Sequence, residues 1–339
     1  MDRPVLDVDD LKVYYHTPRG PVKAVDGVSF ELQAHERFGL VGESGSGKTT
    51  IALALLRTIK PPGQIEGGRV ELDGLDLLSL PESRMRRLRL AAIALVAQGA
   101  MNSLNPVLRV REQILHALRD HDALPPKAER EARIAELLEQ VGLPRTVAGM
   151  FPHQLSGGMK QRVCTAIAIS LRPRVIIADE PTSALDVVVQ KQVMDTLRRV
   201  QENLGASVIL VGHDMGLMAQ FVHRLGVMYA GKMAEVSPIE QIFRDPLHPY
   251  TKLLIQSLPS LDRKDGFQGI PGLPPSLLHR PPGCPFAPRC PFAMDVCRAV
   301  DPPFREVRPN RQVACHLYEP GADGAARGSG DHRGAGVPA

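Results

Sequence analysis

The stretch Gly42-Glu43-Ser44-Gly45-Ser46-Gly47-Lys48-Thr49-Thr50 has the spacing G-x-x-x-x-G-K-T, between the apolar run Phe38–Val41 and the helix-forming run Ile51–Leu56. In a strand–loop–helix context such a loop curls its backbone so that successive N–H groups point at phosphate oxygens. The helix N-terminus adds its dipole, Lys48 a point charge and Thr49 a hydroxyl ligand for Mg²⁺. A glycine-rich loop alone is usually only a turn. The strand before it, the lysine and the paired threonines make a nucleoside triphosphate site the better reading.

A second chemical stretch is Val175-Ile176-Ile177-Ala178-Asp179-Glu180, an apolar run ending in two carboxylates. At a strand end beside a phosphate loop, Asp179 is placed to hold Mg²⁺ and Glu180 to orient or deprotonate a water. A third is Leu155-Ser156-Gly157-Gly158-Met159-Lys160-Gln161, leading into an apolar helix. Its serine and paired glycines predict a second anion-binding helix N-terminus. One nucleotide does not need two such sites at this separation. Two chains meeting head to tail would use both. His213, after the apolar run Val208–Val211, could hydrogen-bond a terminal phosphate from a strand end.

These groups need elements to hold them. Loose alternation over residues 5–13 and 28–32 predicts strands of a β-rich lobe, with a turn at Pro18–Pro21. Gly68–Gly74 reads as a further short strand, and residues 82–90 as a basic, solvent-facing helix. Residues 93–97 make an apolar strand ending at Gln98. Residues 127–141 carry Ile134, Leu137, Leu138 and Val141 at helical spacing. Val175–Ala178 and Val208–Val211 look like strands buried on both faces, with an amphipathic helix over Val188–Leu204 between them. Strand–helix–strand of this kind is a parallel α/β unit.

Composition narrows the class. The 339 residues suffice for one large or two small domains, and 43% hydrophobic with 23% charged residues is ordinary for a soluble protein. A net charge of +4 and the absence of Trp give no case for a nucleic-acid partner. The N-terminus lacks a signal-peptide core, and no run reaches the ~20 apolar residues of a membrane span, so any membrane role is expected to run through a partner.

With these motifs in order, residues 1–244 resemble the nucleotide-binding domain of ATP-binding cassette transporters. The resemblance identifies Gly42–Thr49 as Walker A, Gln98 as the Q-loop and Leu155–Gln161 as the signature. It likewise identifies Val175–Glu180 as Walker B, Ser183–Asp186 as the D-loop and His213 as the switch histidine. Tyr15 matches the aromatic residue that stacks on adenine. The implied fold is a P-loop NTPase: a RecA-like α/β core, an antiparallel β lobe and an α-helical signature subdomain. The implied reaction is ATP hydrolysis. Lys48 and the loop amides hold phosphates, and Thr49 and Gln98 complete the Mg²⁺ shell. Glu180 acts on water, while Ser156, Gly157, Gly158 and Gln161 serve the ATP of a second subunit. Gly99 departs from the pattern, since many relatives have an acidic residue there.

The branch is expected from Met101–Pro106, from Asp245-Pro-Leu-His248-Pro249-Tyr250-Thr251, from Ile270–Pro275 and from a cysteine module, which together resemble dipeptide/oligopeptide importer ATPases. The organisation implied is a cassette over 1–244, an irregular C-terminal extension over 245–319 and a disordered tail over 320–339. Cys284, Cys290, Cys297 and Cys315 run C-x5-C-x6-C-x17-C, looser than compact zinc knuckles and unlike ferredoxin spacings. The spacing leaves zinc and iron–sulfur open; the resemblance implies a [4Fe–4S] cluster, with Zn²⁺ as the alternative. Cys164 reads as a small core residue.

The resemblance further implies a second cassette subunit (a heterodimer), two permease subunits, an extracytoplasmic binding protein and a peripheral place on the cytoplasmic membrane face. Nickel complexes or oligosaccharides are alternative cargoes. A soluble cassette ATPase of DNA repair or ribosome rescue is the competing class. One uninterrupted cassette without heptads argues against it. A regulatory ATP binder without turnover is disfavoured by Glu180 and His213.

Overall fold

In the computed structural model, which describes residues 3–99, 103–183, 185–258 and 269–319, two long antiparallel strands come first, β1 (Leu6–Thr17) and β2 (Gly20–Leu32). They meet at the Pro18-Arg19 turn, as the sequence predicts, but β1 runs on past residue 13. Val8, Leu11, Val13, Val25, Val28 and Phe30 are buried from these strands, because one face of an antiparallel sheet lies on the core. After β3 (Arg37–Val41) and α1 (Lys48–Leu55) come β4 (Gly63–Leu72) and β5 (Leu75–Asp76). These complete a four-stranded sheet in the order β2-β1-β4-β5. β4 begins at Gly63, five residues before the expected start, since it must pair with the whole length of β1 up to Tyr15.

The chain continues through α2 (Glu82–Leu88), β6 (Ile93–Val96), α3 (Val110–Arg119), α4 (Arg130–Gln140) and α5 (Gly157–Ala168). Then come β7 (Val175–Asp179), α6 (Val187–Leu204), β8 (Ser207–Val211), α7 (Met215–Phe221), β9 (Arg224–Tyr229) and β10 (Lys232–Pro238). The remaining elements are α8 (Ile239–Arg244), α9 (Pro249–Gln256), α10 (Asp295–Ala299), β11 (Phe304–Arg308) and β12 (Arg311–Ala314).

The second sheet has eight strands in the order β11-β12-β10-β9-β3-β8-β7-β6. From β9 to β6 neighbouring strands are parallel, and every residue of β7 and β8 is buried. Successive side chains of β7 enter opposite layers. Ile176 and Ala178 join Ile114, Leu137, Val163 and Leu197 of the helical side. Val175 and Ile177 join Ile51 and Leu55 of α1 and the inner face of the antiparallel lobe. Covering both faces explains the uninterrupted apolar runs of these strands. Gln98, Asp179, His213 and the phosphate loop therefore all follow the carboxyl ends of parallel strands, on one edge of the sheet.

The extension over 245–319, expected to be irregular, contains regular elements: α9, α10 and the β11–β12 hairpin, with β12 pairing to β10 at Glu235↔Val313 and Val236↔Gln312. Tyr250, Phe286 and Ala287 are buried in the same apolar cluster as the main helices. The described residues of this extension thus continue the central sheet and its core.

The His248-Pro249-Tyr250 turn has a structural cause. Nδ1 of His248 accepts the amide of Tyr250 at 3.0 Å and so caps α9, while Pro249 occupies its first turn. The buried carboxylate of Glu235 accepts the amides of Leu247 and His248 at 3.0 and 2.8 Å. Burial raises the pKa of Glu235 and lowers that of His248 to about 4, so the cap is a neutral imidazole. Met101, Asn102, Ala184 and the expected tail from 320 onward lie outside the described residues.

Candidate nucleotide-binding site

The loop between β3 and α1 surrounds a cavity of about 660 Å³ with Gln98, Glu180 and His213 on its far side. Two positive-φ glycines shape it. A β-carbon on Gly42 would lie 2.2 Å from the carbonyl oxygen of Met228, and one on Gly47 would lie 2.2 Å from that of Ala24. The loop is wedged between neighbouring backbones that admit no side chain. Gly47 stands at the N-cap of α1 and supplies no side-chain oxygen, so the first amides of α1 keep their donors for a ligand.

Lys48 is buried, and its Nζ donates to the carbonyl oxygens of Gly42 and Glu43 at 2.8 and 3.0 Å and to Ser46 Oγ at 3.3 Å. Burial lowers its pKa, and the carboxylates of Glu180, Asp179 and Glu43 oppose that shift. Its ammonium is held along the loop by the carbonyls of Gly42 and Glu43. Thr49 Oγ1 donates to Asp179 Oδ1 at 3.2 Å. Burial raises the pKa of Asp179, a shift reinforced by Glu180 and opposed by Thr49 and Lys48. A buried carboxylate in this setting gains most from a cation beside it.

Glu180 is the next residue, and its two oxygens are divided. Gln98 Nε2 donates to Oε2 at 2.8 Å, and His213 Nδ1 lies 3.4 Å from Oε1. With its nitrogen on Glu180, the Gln98 amide has its oxygen left to coordinate a cation. Glu180 adopts a φ of 45°, a left-handed conformation that costs a non-glycine residue energy and is often found at functional sites. Its own amide donates to Val211 at 2.8 Å, which locks the turn onto β8.

Other expected residues lie elsewhere. Ser156 caps α5 by accepting the amide of Met159 at 3.3 Å; Ser156, Gly157, Gly158 and Gln161 do not line the cavity. Gly158 is needed for packing, because a β-carbon there would meet Val189 Cγ1 of α6 at 2.4 Å. Gln161 is buried, and its Nε2 has no partner among the described residues. Tyr15 sits on β1 opposite Val22 and Gly63, also outside the cavity lining. Asp186 caps α6 through the amide of Val189 at 3.0 Å.

Two further residues reach the site: Arg289, which the sequence did not single out, and Tyr250, which it offered only as part of the branch motif. Tyr250 Oη accepts the amide of Glu43 at 3.0 Å, and Arg289 grips the Glu43 carboxylate with both terminal nitrogens at 2.8 and 2.9 Å. Both come from the C-terminal extension. No sequence signal pairs positions so far apart.

The four C-terminal cysteines line one largely apolar cavity with Phe286 and Phe292, and none is in a disulfide. Burial raises the thiols of Cys284, Cys290 and Cys315, to about 11 and about 12 for the first and last. Each of the three also accepts a backbone N–H two residues on, from Phe286, Phe292 and Leu317, which favours the thiolate. Among the described residues, no group of three or more His, Cys, Asp or Glu side chains is arranged to hold a metal ion. The cysteines converge without forming a compact single-ion site. Cys164 lies against the main core, and burial pushes its thiol up to about 12, in keeping with a packing role.

Comparison with known proteins agrees with this geometry. Residues 25–183 match the ABC transporter family, and residues 234–297 match the oligopeptide/dipeptide transporter C-terminal region. A protein of Brucella abortus named as a peptide import ATP-binding protein is 47% identical over 302 residues, covering 88% of this chain and 91% of its own. The dipeptide transport ATP-binding protein DppD of Escherichia coli is 41% identical over 315 residues, covering 92% and 96%. The oligopeptide transport ATP-binding protein OppD of Salmonella typhimurium is 42% identical over 314 residues, covering 92% and 93%. Among solved structures, a dimeric ATP-binding cassette in a post-hydrolysis state with ADP and phosphate superposes with a TM-score of 0.62 at 27% identity, covering 69% of this chain and 98% of that one. Among the described residues no helix is long and apolar enough to cross a membrane. The chain belongs to the ABC transporter family, as an ATP-binding subunit that hydrolyses ATP and carries the C-terminal region of its oligopeptide/dipeptide transporters.

Proposed function

We propose that this chain powers the import of di- or oligopeptides, hydrolysing ATP between its own phosphate loop and the signature helix of a second cassette subunit. The observation that carries the ATP half is the convergence of Lys48, Thr49, Gln98, Glu180 and His213 on one cavity at the strand ends. The peptide half is supported by relatives named for peptide, dipeptide and oligopeptide transport at 41–47% identity over nearly the whole chain.

On this reading the amides of Gly45, Gly47 and Lys48, with Lys48 Nζ, bind the β- and γ-phosphates, and the hydroxyl of Thr50 adds a contact. Thr49 Oγ1, Gln98 Oε1 and the Asp179 carboxylate would hold Mg²⁺, which would supply charge neutralisation for the phosphates. Glu180 takes the proton of the attacking water while His213 steadies the γ-phosphate. Tyr15 stacks on adenine. Because phosphoryl transfer depends on positioning and charge more than covalent chemistry, closure of the second subunit completes the site. Ser156, Gly157 and Gly158 present an α-helix N-terminus for that role, and the dimeric relative with ADP and phosphate supports it.

The reading includes two permease subunits, a heterologous second ATPase, an extracytoplasmic binding protein and attachment to the cytoplasmic membrane face. It also includes a [4Fe–4S] cluster on Cys284, Cys290, Cys297 and Cys315. Four thiols around one cavity, three of them accepting amide N–H groups, are what supports a thiolate-held group there. Such a cluster would cross-link the extension and supply a redox-active group. Affinity purification of the full-length chain from detergent-solubilised membranes, with mass spectrometry of the recovered subunits and bound peptide, tests the assignment. Permease subunits and peptide are expected; recovery of the chain without any permease subunit would overturn it.

A further inference from the structure

Glu43 is held at both ends by residues more than two hundred positions downstream. Its amide donates to Tyr250 Oη, and its carboxylate receives both terminal nitrogens of Arg289. The guanidinium is fully committed. Nη1 also donates to Tyr229 Oη at 3.0 Å, Nη2 to the carbonyl of Ile270 at 3.2 Å, and Nε to that of Pro271 at 2.7 Å. All five of its N–H donors are therefore used. The Arg289 side chain is 5% exposed and that of Glu43 25%. Tyr229, Tyr250 and Phe286 pack together under this pair, with the guanidinium 5.7 Å from the Tyr229 ring centre.

The segment carrying Arg289 is anchored on either side. Upstream, Arg280 bonds the carbonyl of Ala230 and the carboxylate of Asp26, and the carbonyl of Leu277 accepts the amide of Lys23 at 3.2 Å. Downstream, Cys290 joins the cysteine cavity. Arg289 is thus presented to the phosphate loop from a rigid support.

Glu43 lines the phosphate cavity, and its main-chain oxygen touches Lys48 Nζ. An unpaired carboxylate there would repel a triphosphate and compete with it for Lys48. A bidentate guanidinium removes that charge and fixes the loop's opening residue. We propose that Arg289 is a positioning residue for nucleotide binding, through which the C-terminal extension neutralises Glu43 and holds the phosphate loop in its binding conformation. The inference rests on the reading of this loop as the ATP phosphate site.

The test is equilibrium titration of the full-length chain with ATP, alongside kcat and KM for MgATP. Arg289→Gln should weaken ATP binding about 10- to 30-fold, seen in KM more than in kcat, as loss of a loop-ordering charge pair implies. The double variant Glu43→Gln/Arg289→Gln, which has no orphan carboxylate, should recover binding to within about 3-fold of the parent, as expected for coupled neighbours. Arg289→Lys should recover only part, because an ammonium cannot form the paired bonds. An Arg289→Gln Kd within 2-fold of the parent would overturn the proposal. So would a double variant as weak as the single, since the loss would then be one of packing. Lys48→Ala serves as the control for the underlying reading: tight ATP binding by that variant would refute the site itself, whatever Arg289 does.

Discussion

Gln98 and Glu180 meet across the nucleotide cavity, the amide nitrogen of one 2.8 Å from a carboxylate oxygen of the other. The contact ties the loop after β6 to the end of β7 and orients Glu180. Its second oxygen faces His213 Nδ1. The carboxylate is therefore positioned from two sides, and its left-handed backbone turns it into the cavity. Glu180→Gln keeps the size and most of the hydrogen bonding but cannot take a proton. Turnover should fall at least about 100-fold, while ATP affinity stays within about 3-fold, as for loss of a general base. Single-turnover hydrolysis and equilibrium ATP binding measure the two separately.

Lys48 Nζ is proposed to bind phosphate oxygens, so its removal should act on binding itself. Lys48→Ala should weaken ATP binding by about 1.5–3 kcal/mol, roughly 10- to 150-fold in Kd, the worth of charged hydrogen bonds. Titration with ATP in the absence of Mg²⁺ would isolate this term from the cation's contribution.

Much of this site was legible because it is local. The spacing from Gly42 to Thr49 encodes a loop wedged between Ala24 and Met228, and the apolar run before Asp179 encodes a strand buried on both faces. The Glu43–Arg289 pair was not legible, because nothing in a charged residue announces a partner 246 positions away. Tyr250 was legible only as part of a family motif, since its contact with the loop depends on where α9 points it. The C-terminal strands were hidden for a related reason. β12 is four residues long with alternating burial, and it exists because β10 offers an edge to pair with. Likewise Gly158 read as part of an anion-binding turn, whereas its contact with Val189 depends on how α5 crosses α6.

That contact allows packing and function to be separated. Gly158→Ala should destabilise the fold by about 1–3 kcal/mol through overpacking. Adding Val189→Ala should restore most of that stability in chemical denaturation. If Gly158 also serves a partner's nucleotide, the restored double variant remains slow in ATP hydrolysis by the assembled complex; recovered turnover would assign Gly158 to packing alone.

Tyr250→Phe keeps the aromatic packing on Tyr229 and Phe286 but removes the acceptor for the Glu43 amide. Loss of that acceptor should cost about 1–2 kcal/mol, read as a rise of roughly 5- to 30-fold in KM for ATP with little change in kcat. Parallel titrations of parent and variant check it.

The cysteine cavity makes a separate analytical prediction. Chain purified without oxygen should carry about four iron and four acid-labile sulfide per molecule, with visible absorbance that is lost in Cys284→Ser and Cys315→Ser, as expected for thiolate-held clusters. One zinc and no sulfide would replace the cluster with the alternative metal.

ATP hydrolysed at the site of Lys48 and Glu180 is proposed to drive peptides across a membrane. Uptake of a labelled peptide into proteoliposomes holding the assembled complex and its binding protein, with ATP supplied on the side of this subunit, tests this most directly. Accumulation should require ATP and be abolished by Glu180→Gln in this chain. Robust ATP hydrolysis with no peptide accumulation, or accumulation untouched by Glu180→Gln, would contradict it.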